Sequence, residues 1–238
     1  MLFHVGLLVV LVCGTISSGA ETTYACDRTA SCGCSSSGAV LSRIIGGEAV
    51  AELSWSWTVG LYHAGIFFCG GSLISSTMIV TAAHCMKPYL PRLSTVTIIA
   101  GTNTYLNSDG KGQVRHLIEV VVHPDFNDDK LTNDIALVRV SKPFDLSNSK
   151  ITPICLPNAV TADNNATLEY PVPGTTLAIV GWGVTMYGLK KPMSALRQVA
   201  VQAVASTSPS CATSTGEFKN GTVQFCAGLP EGGKGKGH

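Results

Sequence analysis

Two polar side chains beside apolar runs are the strongest candidates for chemistry. His84 follows the apolar run in VTAAHC, and Asp134 stands at the head of the apolar stretch DIALVRV. An ionised carboxylate next to a buried strand is costly unless another group compensates it. Considered alone, His84 would be interpreted as a structural histidine, and Asp134 would be interpreted as a residue that caps a turn before the strand. Together they predict an imidazole oriented by an acid, which acts as a general base for a hydroxyl nucleophile.

Short β-rich runs surround both residues and must position them. They are SWTVGLY, IFFCGGSLI, MIVTAAHC, STVTIIAG, HLIEVVVH and DIALVRV, and Gly, Pro, Asn and Asp punctuate them. Many short strands separated by turn residues indicate a sandwich or a barrel. The polar stretch TADNNATLEYPVPG then precedes a second β-rich half that begins at TTLAIVGWG. The sequence therefore predicts an all-β protein of two halves without a long amphipathic helix.

Composition and the N-terminus narrow the class of protein. Apolar residues make up 45% of the chain and charged residues 13%, so a folded core is expected. The formal net charge is +1, so neither nucleic acid nor an anionic membrane is an expected partner. The apolar run Val5–Cys13 and the small residues up to Ala20 predict a secretory signal over 1–20; the run is too short to span a bilayer.

The cysteine content supports an oxidising compartment. Removal of the signal leaves eight cysteines, and an even number in a secreted chain indicates disulfides. A zinc site is the alternative for the CGC sequence at 32–34, but no paired Cys/His knuckle follows it. We therefore expect a secreted, extracellular protein.

Seven short motifs occur in the same order as in a known protein family. They are RIIGGE (43–48), CGGSLIS (69–75), TAAHC (81–85), NDIALVRV (133–140), CLP (155–157), GWG (181–183) and FCAG (225–228). The chain resembles a trypsin-like (chymotrypsin-fold) serine protease zymogen. The resemblance implies an all-β, chymotrypsin-like double antiparallel β-barrel, with the first barrel complete from about Ile44 to Leu156 and the second truncated. It implies a disulfide-tethered activation peptide over 21–43 and a protease domain over 44–238. The polar, small residues of 21–43, which lack any apolar period, predict that this leader is flexible.

The resemblance also assigns roles. His84 corresponds to the general base and Asp134 to the acid that fixes its tautomer, and Arg43–Ile44 corresponds to the bond cut on activation. Two disulfides are implied, Cys69–Cys85 and Cys211–Cys226. Cys155 corresponds to the cysteine that holds the leader after activation. It would pair with one of Cys26, Cys32 and Cys34, leaving the other two to pair together, and the sequence leaves the choice open.

The end of the chain departs from the family pattern. In the family, FCAG is followed by a glycine-rich loop and a GDSGGP-like motif that holds the nucleophilic serine; residues 1–238 contain no such motif. Ser208 and Ser210 precede Cys211 and stand in the wrong place. We expect a C-terminally incomplete protease that is inactive as given. The alternatives are a non-catalytic homologue that binds peptides or inhibitors, and a poorly folding product. One hypothesis for GKGH at the end is translation into a retained intron.

The remaining features predict modifications and partners. Asn165 and Asn220 head glycosylation sequons. Thr102 and Gly112 lie near the places where some relatives carry calcium-binding glutamates, so we expect no metal, and no cofactor is expected either. By family, the partners are protein or peptide substrates and an activating protease. A monomer that binds neither nucleic acid nor membrane is expected.

Overall fold

The structure is a computed structural model. It describes residues 8–11, 21–24, 26–27, 29–35, 37, 39–42, 48–51, 54–106, 110–147, 150–157, 170–183, 193–211 and 224–228. The predicted activation bond, Arg43–Ile44, and both predicted glycosylation sites, Asn165 and Asn220, lie outside these residues.

Strands dominate the part of the chain that the structure describes. In chain order they are β1 (Leu8–Leu11), β2 (Glu21–Tyr24), β3 (Ala39–Ser42), β4 (Glu48–Ala49), β5 (Thr58–His63), β6 (Ile66–Leu73), β7 (Met78–Thr81), β8 (Val96–Ala100), β9 (Gln113–Val122), β10 (Ala136–Val140), β11 (Thr176–Gly181), β12 (Arg197–Val204) and β13 (Cys226–Gly228). Between β7 and β8 lie the one-turn helix α1 (Ala83–Met86) and a 3₁₀ segment, Lys87–Thr95; a short 3₁₀ turn follows at Pro209–Cys211. The predicted all-β fold is confirmed.

Six strands close into an antiparallel barrel in the order β10-β7-β6-β5-β8-β9. Alternating apolar residues build it: β10 buries Ala136, Val138 and Val140 and exposes the residues between them. This period of two places one face of each strand inside the barrel. Closure leaves no free sheet edge among these six strands.

The barrel interior is packed so closely that one position requires glycine. Val59, Leu61, Leu73, Ile79 and others are fully buried. A Cβ on Gly71 would lie 2.8 Å from Ile79 Cγ2 and 3.0 Å from the carbonyl oxygen of Val80. The GG pair in IFFCGGSLI therefore includes a glycine whose missing side chain leaves room for the neighbouring strand β7.

Among the described residues, the strands of the second half of the chain form an open sheet together with two strands from its N-terminal part. Its order is β1-β11-β12-β13, and β4 also pairs with β12. Two tryptophan donors connect it to the barrel half. Trp182 Nε1 donates to the carbonyl of Asn103 at 3.0 Å, and Trp55 Nε1 donates to Gln198 Oε1 at 2.6 Å in a buried position. These bonds join the open sheet to the barrel half.

The predicted leader is more ordered than its sequence suggests. The flexible segment expected over 21–43 contains the β2–β3 pair, in which Glu21 lies opposite Ser42. Near its centre, Gly33 N donates to the carbonyl of Pro153 at 2.8 Å and Thr152 Oγ1 donates to the carbonyl of Cys34 at 2.9 Å. Backbone groups make most of these contacts, so the side-chain pattern gave no sign of them.

The N-terminal segment also contains a strand. Leu8–Leu11, inside the predicted signal segment, pairs antiparallel with β11, with Leu8 opposite Val180. This pairing belongs to the chain with residues 1–20 attached. The signal segment itself stays a prediction.

Candidate active site

His84 lies on α1, directly after the end of β7. Ala82 keeps an extended backbone and caps the helix, and Ala83 beside His84 is fully buried. Cys85, the next residue, forms a disulfide with Cys69 on β6. The imidazole is therefore held between a buried alanine and a covalent link to a barrel strand, which fixes where its ring projects.

Asp134 lies on the loop between β9 and β10, two residues before β10 begins. The preceding residue, Asn133, has a positive φ of 53°. Asparagine tolerates this left-handed conformation better than most residues do. The amide of Ile135 donates to the Asn133 carbonyl at 2.8 Å, and the amide of His123 donates to the Ile135 carbonyl at 3.0 Å. This tight turn orients the Asp134 carboxylate toward α1.

The two predicted residues meet directly. His84 Nδ1 lies 2.6 Å from Asp134 Oδ2, and the backbone amide of His84 donates to Asp134 Oδ1 at 2.8 Å. Both side chains are mostly buried, with 18% and 20% of their surfaces exposed. One carboxylate thus binds the ring and the backbone of the same residue, which fixes the ring orientation as well as its position.

The electrostatics keep the carboxylate ionised. Burial alone would raise the pKa of Asp134, but hydrogen bonds from the ring and backbone of His84, with a smaller one from the backbone of Ala83, outweigh it, so this pKa lies below its usual value. An ionised carboxylate only accepts hydrogen bonds. The proton of the neutral His84 ring is therefore assigned to Nδ1, and Nε2 is the basic nitrogen.

Three residues of types that can bind metal ions lie close together around His84, but they do not form a metal site. In the described part of the chain, Cys69, His84 and Cys85 bring their ligand atoms within 4.8 Å of one another. The two sulfurs are bonded to each other. Because the thiolate is the form of cysteine that binds metals, this group offers a single ligand, His84.

The predicted cysteines all lie among the described residues and are paired. Cys211 is bonded to Cys226. For the pairing that the sequence left open, the structure joins Cys155 to Cys32 and Cys26 to Cys34. The first of these links the leader to the segment that follows the barrel.

Sequence reasoning missed one pair of side chains close to the site. Lys87, the residue after α1, forms an ion pair with Asp128 on the loop that also carries Asp134. The two residues are 41 positions apart. The acidic NDDK stretch gave no indication of which lysine it would meet.

Comparison with known proteins agrees with this geometry. The trypsin family model matches residues 44–237. The chain is 33% identical over 192 residues to Trypsin-3 of Salmo salar, an alignment that covers 81% of this chain and 72% of that protein. It is 31% identical over 207 residues to the clotting factor G beta subunit of Tachypleus tridentatus, covering 82% of this chain and 62% of that protein.

The chain belongs to the trypsin family of serine proteases. Among the residues described, no helix has the length and apolar content needed to cross a bilayer.

Proposed function

We propose that this chain supplies the base and the acid of a secreted serine endopeptidase. His84 removes the proton from a serine hydroxyl through Nε2, and Asp134 holds the ring and stabilises the imidazolium that forms. The observation that carries the proposal is the double contact of one carboxylate with the ring and the backbone amide of His84. Family membership supplies the substrate class, proteins, and the reaction, peptide-bond hydrolysis.

The proposal extends to processing of the chain. Residues 1–20 are removed as a signal segment, and cleavage of Arg43–Ile44 converts a zymogen into a two-chain form. The Cys32–Cys155 disulfide supports this, because Cys32 lies before the cut and Cys155 after it. The leader therefore stays attached when the bond is cut. Glycans at Asn165 and Asn220 are proposed on their sequons alone.

A polypeptide of residues 1–238 is proposed to be inactive by itself. It contains no GDSGGP-like segment, and that segment would supply both the hydroxyl nucleophile and the oxyanion-hole amides. After cleavage at Arg43, a serine-directed phosphonate should label nothing. Stoichiometric labelling would overturn this part of the proposal, whereas tight inhibitor binding without labelling would favour the non-catalytic homologue.

The role of the base and acid has its own test. In a chimera, residues 1–228 are followed by the corresponding C-terminal segment of Trypsin-3 from Salmo salar, and ester hydrolysis is measured after cleavage at Arg43. We expect activity that His84→Ala lowers by about 10⁴-fold or more. The matched control is His116→Ala, since His116 is an exposed histidine on the same barrel. Equal loss in both variants, or none in either, would remove His84 from the mechanism.

A further inference from the structure

A second connection joins the helix that carries His84 to the loop that carries Asp134. Lys87 directly follows α1, and its Nζ lies 2.8 Å from Asp128 Oδ2. The same nitrogen lies 5.9 Å from the centre of the Phe126 ring, within cation–π range. One side chain from the His84 element is thus bound to two side chains on the Asp134 loop.

Hydrogen bonds within the loop connect the region around Asp128 to the residues just before Asp134. Asn127 and Thr132 form an isolated β-bridge, with the Asn127 amide donating to the Thr132 carbonyl at 3.0 Å. The side chain of Asn133 donates to the carbonyl of Asp125 at 3.0 Å. Because each of these bonds joins a residue before Asp128 to a residue after it, the loop is expected to move as one unit.

The ion pair is poorly placed to serve stability. The Lys87 and Asp128 side chains are 53% and 50% exposed. Exposed pairs of this kind contribute little to folding and weaken with salt. A displacement of a catalytic group by about 1 Å can cost about 10²-fold in rate, so a contact that adds little to folding can still matter for the geometry of the site. The pair instead connects the helix that carries His84 to the loop that carries Asp134, and this location suggests a role in the geometry of the site.

We propose that Lys87, acting through Asp128, is a positioning residue that holds the Asp134 loop against the His84 helix. The inference rests on the proposed function of His84 and Asp134. Lys87 does not reach the reacting atoms; it restricts the loop so that the carboxylate keeps both of its bonds to His84. Loss of the ion pair weakens the Asp134–imidazolium contact while the barrel stays folded.

The test is the titration of His84 followed by NMR in the ¹⁵N-labelled 238-residue polypeptide. The variants are Lys87→Met and Asp128→Asn, with Lys130→Met as the control. Lys130 is an exposed lysine on the same loop, and its side chain has no ion pair in the part of the chain that the structure describes. Tryptophan fluorescence verifies that each variant is folded.

The two variants have opposite direct effects on charge, which makes the outcome decisive. Loss of a nearby cation alone would raise the pKa of His84, and loss of a nearby anion alone would lower it. If the pair positions the loop, both variants lower the protonation constant of His84, by about two- to fivefold, the range that an exposed ion pair supports. The reversed pair, Lys87→Asp with Asp128→Lys, restores the wild-type value, and Lys130→Met leaves it unchanged.

Opposite shifts in the two variants, or equal shifts in Lys87→Met and Lys130→Met, would overturn the inference. The ring Nδ1–H resonance separates this failure from a failure of the proposed function. If the wild-type spectrum shows the Nδ1–H bond to Asp134 and the variants leave it unaltered, Lys87 loses its role and the base and acid keep theirs. If the wild type lacks this bond, the proposed function fails together with the inference.

Discussion

Replacement of Asp134 by asparagine tests the contact between Asp134 and His84 by its effect on the free energy of unfolding, so no catalytic assay is needed. The carboxylate accepts from the His84 amide at 2.8 Å and binds Nδ1 at 2.6 Å. The amide oxygen of asparagine can keep one of these bonds, but not its charge. A net loss of one hydrogen bond to a charged group costs about 1.5–3 kcal/mol. For a chain of this size each kcal/mol lowers the Tm by about 2–4 °C, so we expect a decrease of about 3–12 °C at pH 7.

The pH dependence of this difference follows from the pKa of Asp134. The folded pKa of Asp134 lies below its usual value, so the stabilisation is fully present above the unfolded pKa and is lost as the pH falls from there through the folded pKa. Because Asp134 also stabilises the imidazolium form of His84, the gap between wild type and Asp134→Asn should widen as His84 becomes protonated, and should then shrink as the pH falls further into the range where Asp134 is protonated. Urea unfolding followed by the fluorescence of Trp55 and Trp57, both buried in the core, measures it. A gap near zero at pH 7, or one that persists undiminished at pH 3, would refute the reasoning.

Two further predictions concern the barrel and the leader. Gly71→Ala should destabilise the barrel by about 1–3 kcal/mol, because the new methyl group meets Ile79 at 2.8 Å. Gly70→Ala, whose nearest atom would lie at 3.8 Å, is the matched control in urea unfolding, and equal effects would contradict the packing argument. Cys32→Ser should release the leader from the cleaved chain on a non-reducing gel, whereas the wild-type leader stays attached through Cys155. Retention of the leader in the variant would show that another link holds it.

The sequence predicted the barrel well because each of its strands carries a local pattern. The run MIVTAAHC contains β7 and the start of α1, and DIALVRV contains β10. Alternation of apolar and polar residues marks such strands wherever one face is buried. The candidate base and acid were found because both stand at the ends of such runs.

What the sequence did not predict depends on contacts without a local pattern. The choice of Cys32 over Cys26 and Cys34 as the partner of Cys155 follows from the path of the leader. That path depends on backbone bonds such as Gly33 N to the Pro153 carbonyl. The Lys87–Asp128 pair was missed for the same reason, since charge alone does not select one lysine among several.

The register between β7 and β10 explains how His84 and Asp134, 50 residues apart, come to share one site. The strands are antiparallel, and Thr81 at the end of β7 lies opposite Ala136 at the start of β10. His84 comes three residues after Thr81, and Asp134 comes two residues before Ala136, so both leave the barrel at the same end. A slip of one residue would displace the acid by about 3.4 Å and turn β10 inside out. The buried faces of Ala136 and Val138, which fix this register through packing, are therefore as necessary to the site as the two polar side chains.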